Sequence, residues 1–179
     1  MIWQADKAWS DRFIPEIKSI LGSVLIDVAE PADDVLRNTD LITLTMRGGL
    51  RIACRVRKYR YLAGYGDEFT IRCSRPSGKE TEIDKVLAGW GDFLFYGFAN
   101  AEETALAAWF IGDLHVFREW FAWYRRTLRD WPGEMRQNRD GSSKFVVFDV
   151  HDVGRRFVVA RKEPGADLPI GTWLQGRCA

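Results

Sequence analysis

Between residues 47 and 79 the chain carries nine Lys or Arg side chains against two acids, Asp67 and Glu68. That is a local net of +7 in a protein whose formal net charge is only +1. Cations at this density are phosphate-binding chemistry, because they neutralise phosphate oxygens without reading base sequence. Arg47, Arg51, Lys58, Arg60, Arg72, Arg75 and Lys79 are the candidate nucleic-acid contacts. The alternative is a solvated edge strand whose charges deter aggregation. Carboxylates flank the block. Asp40 stands at the entrance of the apolar run LITLTM, and Arg55 and Arg57 stand two apart in the next β-rich run, hence on one strand face. Glu68 shares its face with Thr70 and Arg72; it either supplies a carboxylate to this group or, as we expect, forms a charge pair with Arg55 or Arg57.

Other groups with chemical potential read as structure. His115 and Glu119 are four apart on a predicted helix, but the chain has only two His, and His151 lies in a distant predicted turn. A solvent-facing histidine is expected. Cys54 and Cys73 fall on predicted strands, where a Cys packs as a small hydrophobe. The third Cys, Cys178, leaves an odd count with no CxxC pair, which argues against a disulfide framework or zinc ribbon and fits a reducing compartment. Trp120, Trp123, Arg125, Arg126 and Arg129 mix stacking and basic side chains, yet core packing with a cation-rich helix C-terminus accounts for them. No nucleophile elbow, phosphate-binding loop or dinucleotide fingerprint is present.

These residues must be positioned by a chain of 179 residues, 46% hydrophobic and 28% charged, the size and composition of one globular domain. No apolar run reaches the length of a membrane span, and the first residues lack a signal-peptide design. Trp9, Phe13, Ile14, Ile17, Ile20 and Leu21 predict an amphipathic helix stopping at Gly22, with Pro15 at its irregular start. Residues 24–29 read as a short strand or loop. A hairpin follows: strand 41–46, a turn at Arg47-Gly48-Gly49, and strand 50–59. Residues 68–75 alternate as a third strand beside these, grouping Asp40, Arg55, Arg57 and Glu68. Thr81 and Asp84 predict a helix capping box. FLFYGF (93–98), apolar on both faces, predicts a central strand. Leu106, Phe110, Leu114, Phe117, Phe121, Tyr124 and Leu128 predict a long helix over about 102–129, ended by Pro132-Gly133. Strands 145–150 and 156–161 then form a C-terminal hairpin before an irregular tail pinned by Trp173 and Leu174. The fold class is α/β, with α+β as the alternative: a single domain, 1–179, with a central mixed sheet flanked by helices.

The run Asp40 … Arg55-x-Arg57 resembles, in spacing, the active-site layout of the PD-(D/E)XK phosphodiesterase superfamily. There an Asp opens one strand, and the next carries an acid and a Lys two apart that hold divalent metal and position water. Glu16 stands where many members place a helix Glu. The stretches TDLITLTMRGGLRIACRVRKYRYL and EFTIRCSRPSGKETEIDKVLAGWGDFLFYGFA also resemble degenerate phage and prophage proteins of this superfamily. The resemblance covers about residues 10–125 and implies a restriction-endonuclease-like core, leaving 126–179 as helix end, hairpin and tail. It departs in chemistry. Arg55 replaces the second carboxylate and Arg57 the Lys, and a guanidinium repels the Mg²⁺ that carboxylates would hold. The expectation is a phage-encoded, cytoplasmic protein of a bacterial host that binds nucleic acid without standard metal-dependent cleavage and needs no cofactor. One alternative is a protein-binding inhibitor of a host defence complex. The other is a nuclease using Asp40, Glu68 and Glu16 with Mg²⁺ or Mn²⁺.

Overall fold

The computed structural model of the protein describes residues 2–21, 25–28, 41–45, 48–138 and 140–166, with side chains over 5–21, 49–138 and 140–166. Asp40, Arg47, Gly22, Cys178 and the tail bearing Trp173 and Leu174 lie outside the described residues. Helices α1 (Ile2–Asp11) and α2 (Ile14–Leu21) open the chain. Pro15 falls in the first turn of α2, where its missing N–H removes no helical bond. Phe13, Ile17 and Leu21, four apart, are buried.

Strands β1 (Leu25–Val28), β2 (Leu41–Thr45) and β3 (Gly48–Arg57) form an antiparallel meander. The predicted hairpin is present, but Gly48 and Gly49 are the first rungs of β3, opposite Thr45 and Leu44, and not its turn. After β3 a 3₁₀ turn (Tyr59–Tyr61) and the short helix α3 (Leu62–Tyr65) lift the chain off the sheet. Strand β4 (Glu68–Ser74) therefore starts a second layer and does not neighbour β3, a correction to the three-strand expectation. Helix α4 (Glu82–Leu87) begins at the predicted cap: the Thr81 backbone N–H donates to Asp84 Oδ2 at 2.8 Å. It carries the crossover to β5 (Phe93–Ala99), which runs parallel to β3 and is buried along its whole length.

The predicted long helix is two elements. Residues Leu106–Asp113 are strand β6, antiparallel to β5, and only Leu114–Leu128 form helix α5. Asp113 separates them: its carboxylate accepts from the N–H groups of His115 (2.9 Å) and Val116 (3.3 Å), an N-cap that ends the strand and starts the helix. At the other end, Arg129 in the left-handed region (φ 54°) terminates α5 before Pro132 is reached.

The remaining elements are β7 (Glu134–Gln137), β8 (Lys144–Asp149), the short helix α6 (Val150–Val153) and β9 (Val158–Lys162). Strands β8 and β9 do not pair with each other as predicted; β8 lies between β4 and β7, while β9 joins β6. Residues 134–162 are therefore woven into both sheets and are no appendage to a 10–125 core.

A six-stranded mixed sheet in the order β1-β2-β3-β5-β6-β9 and a three-stranded sheet β4-β8-β7 result. On one face of the large sheet, α1 and α2 cover Ile52, Val56, Phe95 and Ile111. On the other, Ala53, Leu94, Tyr96 and Phe110 meet Phe69, Ile71 and Phe148 of the second sheet and Phe117 and Phe121 of α5. Phe69 is the hub, with Phe148 and Phe157 stacked at 5.3 and 5.0 Å. The protein is a single mixed α/β domain, and among the described residues no helix is long and apolar enough to cross a membrane.

Candidate functional site: a basic cleft between the two sheets

Alternation along β3 sends Ile52 and Val56 to the α1–α2 side and Ala53, Arg55 and Arg57 to the side of the second sheet. Near its C-terminal end β4 stands opposite, and a cleft of about 710 Å³ opens between them, bounded by α1, the 58–61 turn, the start of α4 and the tip of the β7–β8 hairpin. Eight Lys or Arg side chains and three acids line it, a formal net of +5 among the described residues. Four of the predicted contacts are there, Lys58, Arg60, Arg72 and Arg75, and both arginines of the degenerate motif, Arg55 and Arg57, join them. The fold adds Lys7 from α1 and Lys85 from α4, distant in sequence and unmarked by any motif.

Arg55 is the fixed element of the floor. Its Nη1 donates to the backbone oxygen and hydroxyl of Thr70, both at 3.2 Å, and its Nη2 to Glu82 Oε2 at 2.6 Å. The same Glu82 oxygen accepts the backbone N–H of Arg72 at 3.1 Å, and Thr70 Oγ1 meets Tyr96 Oη at 3.3 Å. One carboxylate at the first position of α4 thus ties β3, β4 and the crossover helix together. Side chains are 24% exposed for Arg55 and 12% for Glu82, so this ion pair is well shielded.

Arg72 and Arg75 are a different case. Both are half-buried in the cleft wall, and neither guanidinium makes an ion pair or hydrogen bond among the described residues. Burial first, then the positive charge of Arg55, pushes Arg72 below its ordinary value, with Arg75 adding to the push and Glu82 opposing it. Arg75 Nε is the one buried side-chain nitrogen or oxygen without a partner among the described residues. An unpaired, desolvated guanidinium is unfavourable until an anion meets it. Arg57 lies 4.6 Å over the Tyr61 ring, and Arg60 holds that ring at 5.0 Å while donating to its hydroxyl at 3.2 Å. Lys58 sits over Trp9 at 5.4 Å and 3.7 Å from Glu103.

Several candidates fall elsewhere. Glu68 does not pair with Arg55 or Arg57; it faces Arg136 at 3.7 Å, and burial raises its pKa against that attraction. Glu16 belongs to the α2 layer, where its carboxylate accepts the N–H of Leu106 at 2.9 Å and anchors the start of β6. Arg51 stands at the opposite end of β3, over Trp90 at 5.8 Å, and Lys79 is exposed outside the cleft. His115 is a 73% exposed helix residue 3.4 Å from Glu119. Cys54 and Cys73 pack against the two cores, burial raising the Cys73 thiol. Trp120 packs on Phe117 and Phe148, and Arg125 lies over Trp131. Among the described residues no three His, Cys, Asp or Glu gather to hold a metal ion.

The arrangement offers anion-binding chemistry. It places cations on three walls and aromatic surface beside them, with Phe145 of β8 as a lining residue that the sequence did not single out. No protein-family profile matches the chain, and no curated protein is detectably similar to it.

Proposed function

We propose that the protein binds nucleic acid in the basic cleft and does so without the standard metal-dependent cleavage of the PD-(D/E)XK enzymes that its sequence resembles. The observation that carries this reading is the pair Arg72 and Arg75, half-buried and with neither guanidinium in an ion pair or hydrogen bond among the described residues, in a cleft of net positive charge. Surface cations that serve only solubility are solvated; cations sunk into a wall beside other cations are arranged for an anionic ligand. Arg55, at the position of a second metal-binding carboxylate, is engaged with Glu82 and Thr70 and is a structural strut of the cleft floor. Glu68, proposed as a migrated ligand, is turned to Arg136. A phage origin fits the same resemblance.

The test is binding and cleavage in one experiment. Labelled single-stranded and duplex oligonucleotides are titrated with protein at low salt, first in EDTA and then in Mg²⁺ or Mn²⁺. Binding in EDTA, with intact nucleic acid after metal addition, is the expected outcome. Cleavage lost in Asp40→Ala replaces this reading with the metal-dependent nuclease. No binding at any salt replaces it with the protein-partner reading, in which the cleft meets an acidic surface of a host defence complex.

A further inference from the structure

Strands β4 and β8 are paired so that Arg72 stands directly opposite Phe145. Directly opposed residues project from the same face, within contact range. Phe145 lines the cleft, is half-buried, packs in neither apolar core and makes no ring contact with another aromatic among the described residues. It is an unstacked phenyl in a protein whose other buried Phe rings are clustered. Beside it on the same wall are the unpaired guanidiniums of Arg72 and Arg75, the latter with its buried Nε unsatisfied. Resting on the nucleic-acid reading above, we infer that this wall is a nucleotide subsite: an unpaired base stacks on Phe145 while the adjoining phosphate lies between Arg72 and Arg75. The ligand is then single-stranded. A base inside a duplex has both faces stacked and offers none to Phe145, whereas a single strand presents π-faces freely. The cleft volume of about 710 Å³ is that of a small-ligand pocket, suited to a nucleotide or two and not to the width of a helix.

The experiment uses the full chain and a labelled oligothymidylate of about 12 residues, within the span of single-strand grooves. Competitors are unlabelled oligothymidylate and a blunt duplex hairpin with the same number of phosphates. Wild type is expected to bind the single strand at least about tenfold more tightly than the hairpin. Phe145→Leu, which keeps bulk and apolarity, weakens single-strand binding about 5- to 100-fold and leaves hairpin binding unchanged. Phe145→Tyr, which keeps the ring, retains wild-type affinity and so separates stacking from a folding defect. Equal competition by the hairpin, or an unchanged Phe145→Leu in a folded protein, overturns the subsite while leaving nucleic-acid binding standing. No wild-type binding to either probe overturns both.

Discussion

Glu82 is the residue on which the cleft floor depends, since its Oε2 receives both Arg55 Nη2 and the Arg72 N–H. Arg55→Ala leaves that carboxylate shielded with one partner fewer, and should cost about 2–4 kcal/mol in urea unfolding. Arg55→Lys should recover little, because an ammonium cannot span Thr70 and Glu82 together. A loss below about 0.5 kcal/mol would show the pair to be an ordinary surface contact. Glu68 gives a second residue-scale prediction with a defined sign. Burial raises its folded pKa, so the folded state penalises the charged form; that penalty is absent below the usual carboxylate value and complete once pH exceeds the raised one. Glu68→Gln should therefore gain stability over wild type at neutral pH, by less than about 1 kcal/mol, and lose the gain toward pH 4. Thermal melts across that range decide it.

At the scale of elements, what the sequence revealed depended on whether one periodicity or two fitted the same residues. The central strand 93–99 was legible because its apolar run is continuous, and α4 because Thr81 and Asp84 stand at capping distance. Strand β6 was not legible. Leu106, Phe110 and Leu114 are four apart, and Ala-Leu-Ala-Ala is strong helix former, so local preference favoured a helix that burial between β5 and β9 overrides. The missed signal was Asp113, the cap that divides strand from helix. Gly112 marks the strand too: a Cβ there would lie 2.5 Å from Phe157 Cζ, so Gly112→Ala should destabilise by about 1–3 kcal/mol in denaturant titration. The C-terminal end of α1 is tied to the loop before β6 by Glu103, which accepts from Trp9 Nε1 at 2.6 Å and meets Arg12, just past the helix, at 3.4 Å. The Trp9 bond, with Lys58 and Arg12, lowers the Glu103 pKa. Its stabilising contribution is thus present above the usual carboxylate value and lost as pH falls through the depressed one. Hydrogen exchange in α1 should accelerate in Glu103→Ala at neutral pH, and in wild type only under acid. Unchanged α1 protection in the variant would contradict this anchor.

On the scale of the whole molecule, the sequence exposed the cations but not their grouping. Arg55 and Arg57 share a strand face by simple alternation, whereas the meeting of β3 with β4 required the 59–65 helical turns to carry the chain into a second layer. That step brought Arg72 and Arg75 across from Arg57, sent Glu68 to Arg136, and left Arg51 and Lys79 outside. Lys7 and Phe145, separated by most of the chain, reach the same cleft only through the fold. The central claim is that this cleft, and not the basic block as a stretch of sequence, contacts phosphate. It is tested most directly by the salt dependence of oligonucleotide binding in two variants of matched charge loss. Arg57→Ala with Arg75→Ala removes two cleft cations; Arg51→Ala with Lys79→Ala removes two from the same block outside the cleft. The cleft variant should flatten the log–log salt slope by about 1.4 on a single strand, about 0.7 per lost phosphate contact, and the other should match wild type. Equal flattening in both variants, or none in the cleft variant, would contradict the account.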